Sequence, residues 1–252
     1  MSDVRPDKPR EAKTTQREEE KTIKRRAPRP RDAATLILLD GKGKKTKVLF
    51  GKRHHSHKFM PGKFVFPGGR VEPGDRTVNV VGALDAIVEA RLIKRRPAAG
   101  PGFARSLALA AIRETFEETG LALGTQEFGP LASAPPGAWH DYAATGCIPD
   151  LQDLHFIARA ITPPERPKRF DTRFFAVDAA HIGARLDGFV HEGAELVELV
   201  WIELAKAEEL DLPEITLRVL ADLRTRLAGG MSRFLPAPFY YQHYGEWLRD
   251  ML

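Results

Sequence analysis

The chain has 252 residues, 42% of them hydrophobic, which is enough apolar material for one large domain with a real core and extensions. Its single cysteine, Cys147, excludes an intrachain disulfide and a cysteine-rich metal site, and no apolar run approaches the ~18–20 residues of a membrane span. A soluble, cytoplasmic protein without a membrane partner is expected. The formal charge of +5 is confined to one end: residues 1–31 carry eleven Lys/Arg against six Asp/Glu, which accounts for the whole excess, so nucleic acid is not an expected partner of the body.

That first segment, residues 1–31, has almost no large apolar side chains and cannot offset the entropy of folding, so it reads as a disordered basic tail. A solubilising leader or a weak anchor for polyanions would both fit it. Glu18–Glu20 argue against a transit peptide.

From Ala33 the pattern changes to β-rich runs. Ala34–Leu39 and Lys47–Arg53 flank a polar, glycine-containing turn and predict an opening hairpin. Further strands are predicted at Lys63–Phe66, Asp153–Thr162, Thr172–Ala179 and Glu195–Ile202, and helices at about 80–94, 104–119 and 213–228. Strands interleaved with a few helices and beginning with a hairpin indicate an α/β protein with a mixed sheet covered by helices. The body, residues 32–252, reads as one domain.

The run Arg113–Gly120, RETFEETG, crowds three carboxylates into one helical turn, where like charges weaken a helix. At 100° per residue Glu114, Glu117 and Glu118 share an arc of about 100°, with Leu109, Ile112 and Phe116 opposite and the small Ala110 and Ala111 on the acidic side. A charged solvated face is the ordinary meaning of such a turn. Upstream, however, Phe64–Asp75 is a strand-like run broken by Pro67, Gly68 and Gly69, where backbone carbonyls can turn outward. Clustered carboxylates beside an open glycine loop are the oxygen ligands that a hard divalent cation takes.

These two stretches resemble the box of the Nudix hydrolases, G-x5-E-x7-R-E-U-x-E-E-x-G-U with U aliphatic. The likeness runs from Gly69 to Asp75 and resumes at Arg113, Glu114, Glu117, Glu118, Gly120 and Leu121. Asp75 stands where the box has its first Glu, Thr115 replaces an aliphatic residue, and 37 residues instead of seven separate Asp75 from Arg113. The extra length, approximately 76–104, is expected to project as a helical excursion that shapes the pocket or a homodimer contact.

The resemblance implies an α/β/α sandwich and metal-dependent hydrolysis of a diphosphate in a small nucleotide substrate. It implies Mg2+ or Mn2+ held by Glu114, Glu117 and Glu118, with carbonyls of Gly68 and Gly69 as further ligands and Arg113 fixing a carboxylate rotamer. A base or extra ligand is expected from Glu192, Glu195 or Glu198, with Glu195 preferred. A non-catalytic nucleotide-binding regulator or a scaffold is the alternative of another class.

Leu49–Gly69 also resembles the pattern L-L-T-x-R-[SA]-x3-R-x3-G-x3-F-P-G-G of Nudix coenzyme A diphosphatases. Leu49, Arg53, Gly62, Phe66, Pro67, Gly68 and Gly69 match in register, whereas Phe50, Gly51, His54 and Lys58 depart from it. This implies coenzyme A or acyl-coenzyme A as substrate, ahead of ADP-ribose, NADH, dinucleoside polyphosphates or capped RNA. Arg53 and Lys58 are then candidate phosphate clamps, joined by Arg70 after the glycines and by Arg169 and Arg173, which alternate onto one strand face. His54–His57 lack the spacing of a zinc site.

Overall fold

The computed structural model describes residues 28–56, 60–96 and 98–252. The expected tail, apart from Pro28–Arg31, and the candidate Lys58 lie outside them.

β1 (Arg31–Asp40) is apolar on both faces, and the structure uses both. Ala34, Leu36 and Leu38 belong to one core, Ile37 and Leu39 to the other. β1 runs parallel to β7 (Phe170–Asp178) from Arg31↔Phe170 to Leu39↔Asp178. Its other edge is divided. Near its start it pairs with β4 (Gly68–Arg70), and only Leu39 and Asp40 pair with β2 (Lys47–Arg53). The expected opening hairpin therefore exists at its tip alone, because β4 occupies the edge that a full hairpin would use.

β2 pairs in turn with β3 (Phe64–Val65) and along its whole length with β9 (Leu196–Glu203). Beyond β7 the sheet continues through β6 (His155–Ile161), β10 (Pro238–His243) and β11 (Glu246–Met251). A separate pair joins β5 (Leu121–Leu123) to β8 (Ile182–Arg185). On one face lie α1 (Ala86–Ile93), α2 (Pro101–Thr119) and α3 (Ala138–Ala143); on the other, α4 (Glu214–Ala228) buries Val219, Leu220 and Leu223. The result is the expected α/β/α sandwich around a mixed sheet. No helix among the described residues is long and apolar enough to cross a membrane.

The burial of α2 is not confined to the apolar stripe of Leu109, Ile112 and Phe116: Ala108, Ala110, Ala111, Arg113, Thr115 and Glu118 are all buried as well, because the helix lies between the sheet, α1 and α3. The small alanines permit that approach, and Thr115 is tolerated at an apolar position because its hydroxyl donates to the Ala111 carbonyl at 2.8 Å. The segment ahead of α2, contrary to expectation, does not project. Leu84, Val88 and Leu92, spaced four apart, are buried in the same core as α2. Asp85 caps α1 through the amides of Ile87 and Val88. Arg91 donates to the carbonyls of Arg233, Phe234 and Leu235 and Arg159 to that of Lys94; these bonds tie the C-terminal end of α1 to the body, while Asp85 at its start pairs with Arg233 at 3.5 Å.

Candidate active site

α2 stops at Gly120, whose φ of 74° is left-handed and whose missing Cβ would stand 2.1 Å from the Leu186 carbonyl oxygen. Only glycine lets the chain after β8 cross so near the helix end, where the Leu186 amide donates to the Gly120 carbonyl at 3.0 Å. That crossing carries residues 187–195 over the acidic turn. Between them lies a cleft of about 430 Å3 lined by Glu114, Glu117, Glu118, Asp187, His191 and Glu195 among others.

β4 lies against two of the same acids, Glu114 and Glu118. The Leu36 amide donates to the Pro67 carbonyl and the Val71 amide to the Asp32 carbonyl; alternation in an antiparallel ladder makes Ala34 and Gly69 the bonded pair between them. The polar groups of Gly69 thus serve the sheet, and those of Gly68 turn away from β1. The Gly68 amide reaches Glu118 Oε2 at 3.1 Å. Of the two carbonyls expected to hold a cation, the register favours Gly68. Gly69 matters for another reason: a Cβ there would come within 2.5 Å of the Glu114 carboxyl group.

Arg113 organises the acids. Its Nε donates to Asp75 Oδ1 at 2.8 Å, and its Nη2 donates to Asp75 Oδ2 at 3.2 Å and to the Arg70 carbonyl at 2.8 Å. Its Nη1 donates to Glu114 Oε1 at 3.0 Å and Glu117 Oε2 at 3.1 Å. Asp75, fully buried, also accepts from Trp139 Nε1 at 2.8 Å and the Glu72 amide at 2.7 Å. Burial alone would lower the Arg113 pKa, but the hydrogen bond to Asp75 and the charges of Glu114 and Asp75 raise it. The aspartate in place of the expected glutamate is therefore the fixed point from which two carboxylates are positioned.

The acids themselves are in electrostatic conflict. Burial pushes the Glu114 carboxyl up to about 7, against the opposing pull of Arg113 and with help from Glu117 and Glu195. Glu118 is raised well above the carboxylate range by burial and by the charges of Glu195 and Glu114; the Gly68 amide and Arg53 only partly offset this. Among the described residues, no three acidic, histidine or cysteine side chains already converge as a cage, since Glu114 and Glu117 are drawn onto Arg113. The chemistry fits a hard divalent cation nonetheless: an all-oxygen donor set whose mutual repulsion a cation would relieve.

The remaining candidates separate. Arg53 does reach the site, but its Nη1 lies 2.8 Å from Glu195 Oε1. Glu198 sits on β9 beside Lys52 at 3.7 Å. Arg70 pairs with Glu72 at 3.0 Å and lines a different cleft. Arg169 is spent on the carbonyls of Thr162 and Pro28, and Arg173 is wholly buried, bonded to Asp32 at 2.8 Å and to the Asp171 carbonyl at 2.7 Å. These two do not share an open strand face: Arg169 lies ahead of β7, and Arg173 lies within it, where the strand is central in the sheet and covered on both sides. Asp187, His191 and Trp139 were not foreseen. A glycine-punctuated DGFVHEGAE stretch before a strand was the available signal for the first two.

No family model matches the chain. It is similar to the crystal structure of a NUDIX hydrolase from Alicyclobacillus acidocaldarius, with 30% identity over 79% of this chain and 96% of that one and a TM-score of 0.57. Weaker likenesses extend to the NUDIX domain of Shewanella oneidensis NrtR complexed with ADP ribose (14% identity, 79% and 90% covered, TM-score 0.43) and a C. elegans Ap4A hydrolase binary complex (17% identity, 79% and 99% covered, TM-score 0.40).

Proposed function

The chain belongs to the Nudix hydrolases, and from that premise we propose that it cleaves the diphosphate linkage of a nucleoside diphosphate derivative in the acidic cleft, with coenzyme A or acyl-coenzyme A as substrate. The observation that carries the chemistry is the chain of contacts from Asp75 through Arg113 to Glu114 and Glu117, beside a buried Glu118 whose charge is opposed by its neighbours. The catalytic unit begins with β1, one residue ahead of the expected boundary at 32, and runs to residue 252, with approximately 76–104 the insertion and the residues ahead of β1 a tail.

Glu114, Glu117, Glu118 and the Gly68 carbonyl would hold Mg2+ or Mn2+, which neutralises diphosphate charge and makes a water more acidic when bound. Arg113 sets the rotamers of Glu114 and Glu117 and ties them to the buried Asp75. Glu195 is the candidate base: Oε1 is held by Arg53, which leaves Oε2 to take the proton of the attacking water. The loop after β8 brings Asp187 and His191 to the rim, where they limit how a substrate enters.

Coenzyme A as substrate is supported by the in-register positions from Leu49 to Gly69, within which Arg53 reaches the acidic cleft beside Glu195. It does not rest on a free phosphate clamp, because Arg53 is paired. The test is a screen of coenzyme A, acetyl-coenzyme A, dephospho-coenzyme A, ADP-ribose, NADH, a dinucleoside tetraphosphate and capped RNA with Mg2+ or Mn2+. Release of 3′,5′-ADP and 4′-phosphopantetheine, faster than turnover of the others, is expected. Efficient cleavage of another compound with none of coenzyme A would replace the substrate, and no turnover of any would favour a binding role.

A further inference from the structure

A second cleft, of about 500 Å3, opens between the start of β1, the loop after β4 and the first turn of α2. It shares no lining residue with the acidic cleft. Around it stand the exposed Arg31, Arg70 and Arg76, with Asp32, Glu72 and Phe103. Arg70 is paired with Glu72, but among the described residues Arg31 and Arg76 make no side-chain ion pair.

The charge behind this lining is also positive. Asp32 is shared by Arg96 at 2.6 Å and Arg173 at 2.8 Å. The guanidinium carbons of the same two arginines lie 5.0 and 5.4 Å from the centre of the Phe103 ring. Arg173 is fully buried, and its Nε and Nη2 have no hydrogen-bond partner. Its other carboxylate, Asp171, is already bidentate to Arg159. Five arginines thus face Asp32 and Glu72, while Arg159 and Asp171 cancel. An excess of this size, partly out of water and next to an open cleft, is relieved by a bound anion more than by solvent.

We propose that this cleft is a second ligand site, which takes a diphosphate group on Arg31, Arg70 and Arg76. Guanidinium forks match phosphate oxygens two at a time, and three of them around one opening suit a multiply charged anion better than a carboxylate. The site adjoins the box from behind: Arg70 offers its side chain to the cleft and its carbonyl to Arg113, and the Glu72 amide holds Asp75. The diphosphate comes free or linked to a nucleoside, and the chemistry of the cleft is the same for both.

The test is calorimetric titration of the full chain in excess chelator with inorganic pyrophosphate and, separately, ADP. Without a divalent ion the acidic cleft repels both, so its variant Glu118→Gln should bind as the wild type does. One equivalent of anion is expected, weakened at least about tenfold in Arg31→Ala/Arg76→Ala, whose altered side chains are exposed; Arg76→Ala alone should lose part of the effect. Binding of ADP as tightly as pyrophosphate identifies a nucleotide ligand, and preference for pyrophosphate a free anion. The proposal is overturned if neither binds at millimolar concentration. It is equally overturned if the double variant binds as tightly as wild type, which would place the anion on the basic first 27 residues.

Discussion

Arg53 Nη1 and Glu195 Oε1 stand 2.8 Å apart, so two side chains with separate expected roles, a phosphate clamp and a base, form one ion pair across β2 and the start of β9. Arg53 is little exposed and its Nε has no partner, whereas the Glu195 side chain is about half exposed at 46%. The cation is thus the fixed member and the carboxylate the adjustable one.

This pairing changes what Arg53→Ala should do. Loss of a charge-assisted contact is expected to cost about 1.5–3 kcal/mol, roughly 10- to 100-fold in kcat/KM, and to appear in kcat because Glu195 is left unheld. Arg53→Ala/Glu195→Gln should be little slower than Glu195→Gln alone. A raised KM for coenzyme A with kcat intact would restore the clamp.

For the acidic turn, Glu118→Gln and Glu117→Gln are expected to keep the fold while turnover with saturating Mg2+ falls by orders of magnitude. The two differ in stability. Glu118 is buried and its charge is opposed, so the amide, which can still accept from the Gly68 amide, should raise the metal-free melting temperature; Glu117 is exposed and should leave it nearly unchanged. Near-normal activity in either folded variant would remove that side chain from the metal site.

The pH dependence has a definite sign. The Glu114 pKa is about 7 in the folded protein against an ordinary 4.5, so between those values the folded state binds more protons than the unfolded chain. Metal-free stability should therefore fall as pH rises from about 4.5 through 7. One side chain shifted this far contributes on the order of 3 kcal/mol at most. Denaturant midpoints of wild type and Glu114→Gln across pH 5–8 should converge at the acidic end and separate, with the variant more stable, at the basic end. Parallel curves would contradict the assignment.

What was legible depended on how local the cause is. The clustering of Glu114, Glu117 and Glu118 is a property of helix spacing, and the glycine break at Pro67–Gly69 marks a backbone constraint, so both were readable. β4 was not, because Gly-Gly-Arg has little strand preference and pairs only because the edge of β1 is free there. Arg53 and Glu195 meet through β2–β9 register, which no short window contains. The buried state of Arg173 follows from the central place of β7, again a tertiary fact. β10 and β11 did carry a local signal: Tyr244 and Gly245, with φ of 51° and 83°, form the two-residue turn that a Tyr-Gly between aromatic runs announces.

Asp75 offers a test of positioning separate from metal binding. Asp75→Asn removes the charge opposite the Nε and Nη2 side of a buried guanidinium and is expected to destabilise the fold by about 3 kcal/mol, since the buried cation keeps only Glu114 and Glu117, both on its Nη1, as carboxylate partners. Trp139→Phe loses one hydrogen bond to the same carboxylate and should cost about 1 kcal/mol. Denaturant unfolding of both measures the ratio. An Asp75→Asn variant as stable as wild type would mean that Arg113 is held by Glu114 and Glu117 alone.

The segment ahead of α2 gives the last prediction. Leu92 is fully buried with Val88 and Leu84 against the core that supports α2, and Arg91 holds three carbonyls of the chain between α4 and β10. Leu92→Ala should therefore cost about 2–5 kcal/mol, the range for emptying a leucine site in a packed core. Replacing the segment with a short linker should reduce stability before it alters substrate preference, because it exposes the flank of α2. Had the segment projected, Leu92→Ala would be silent in unfolding and visible only in oligomeric state. A melting temperature within a degree of wild type, together with a change of mass in solution, would return it to the role of an external excursion.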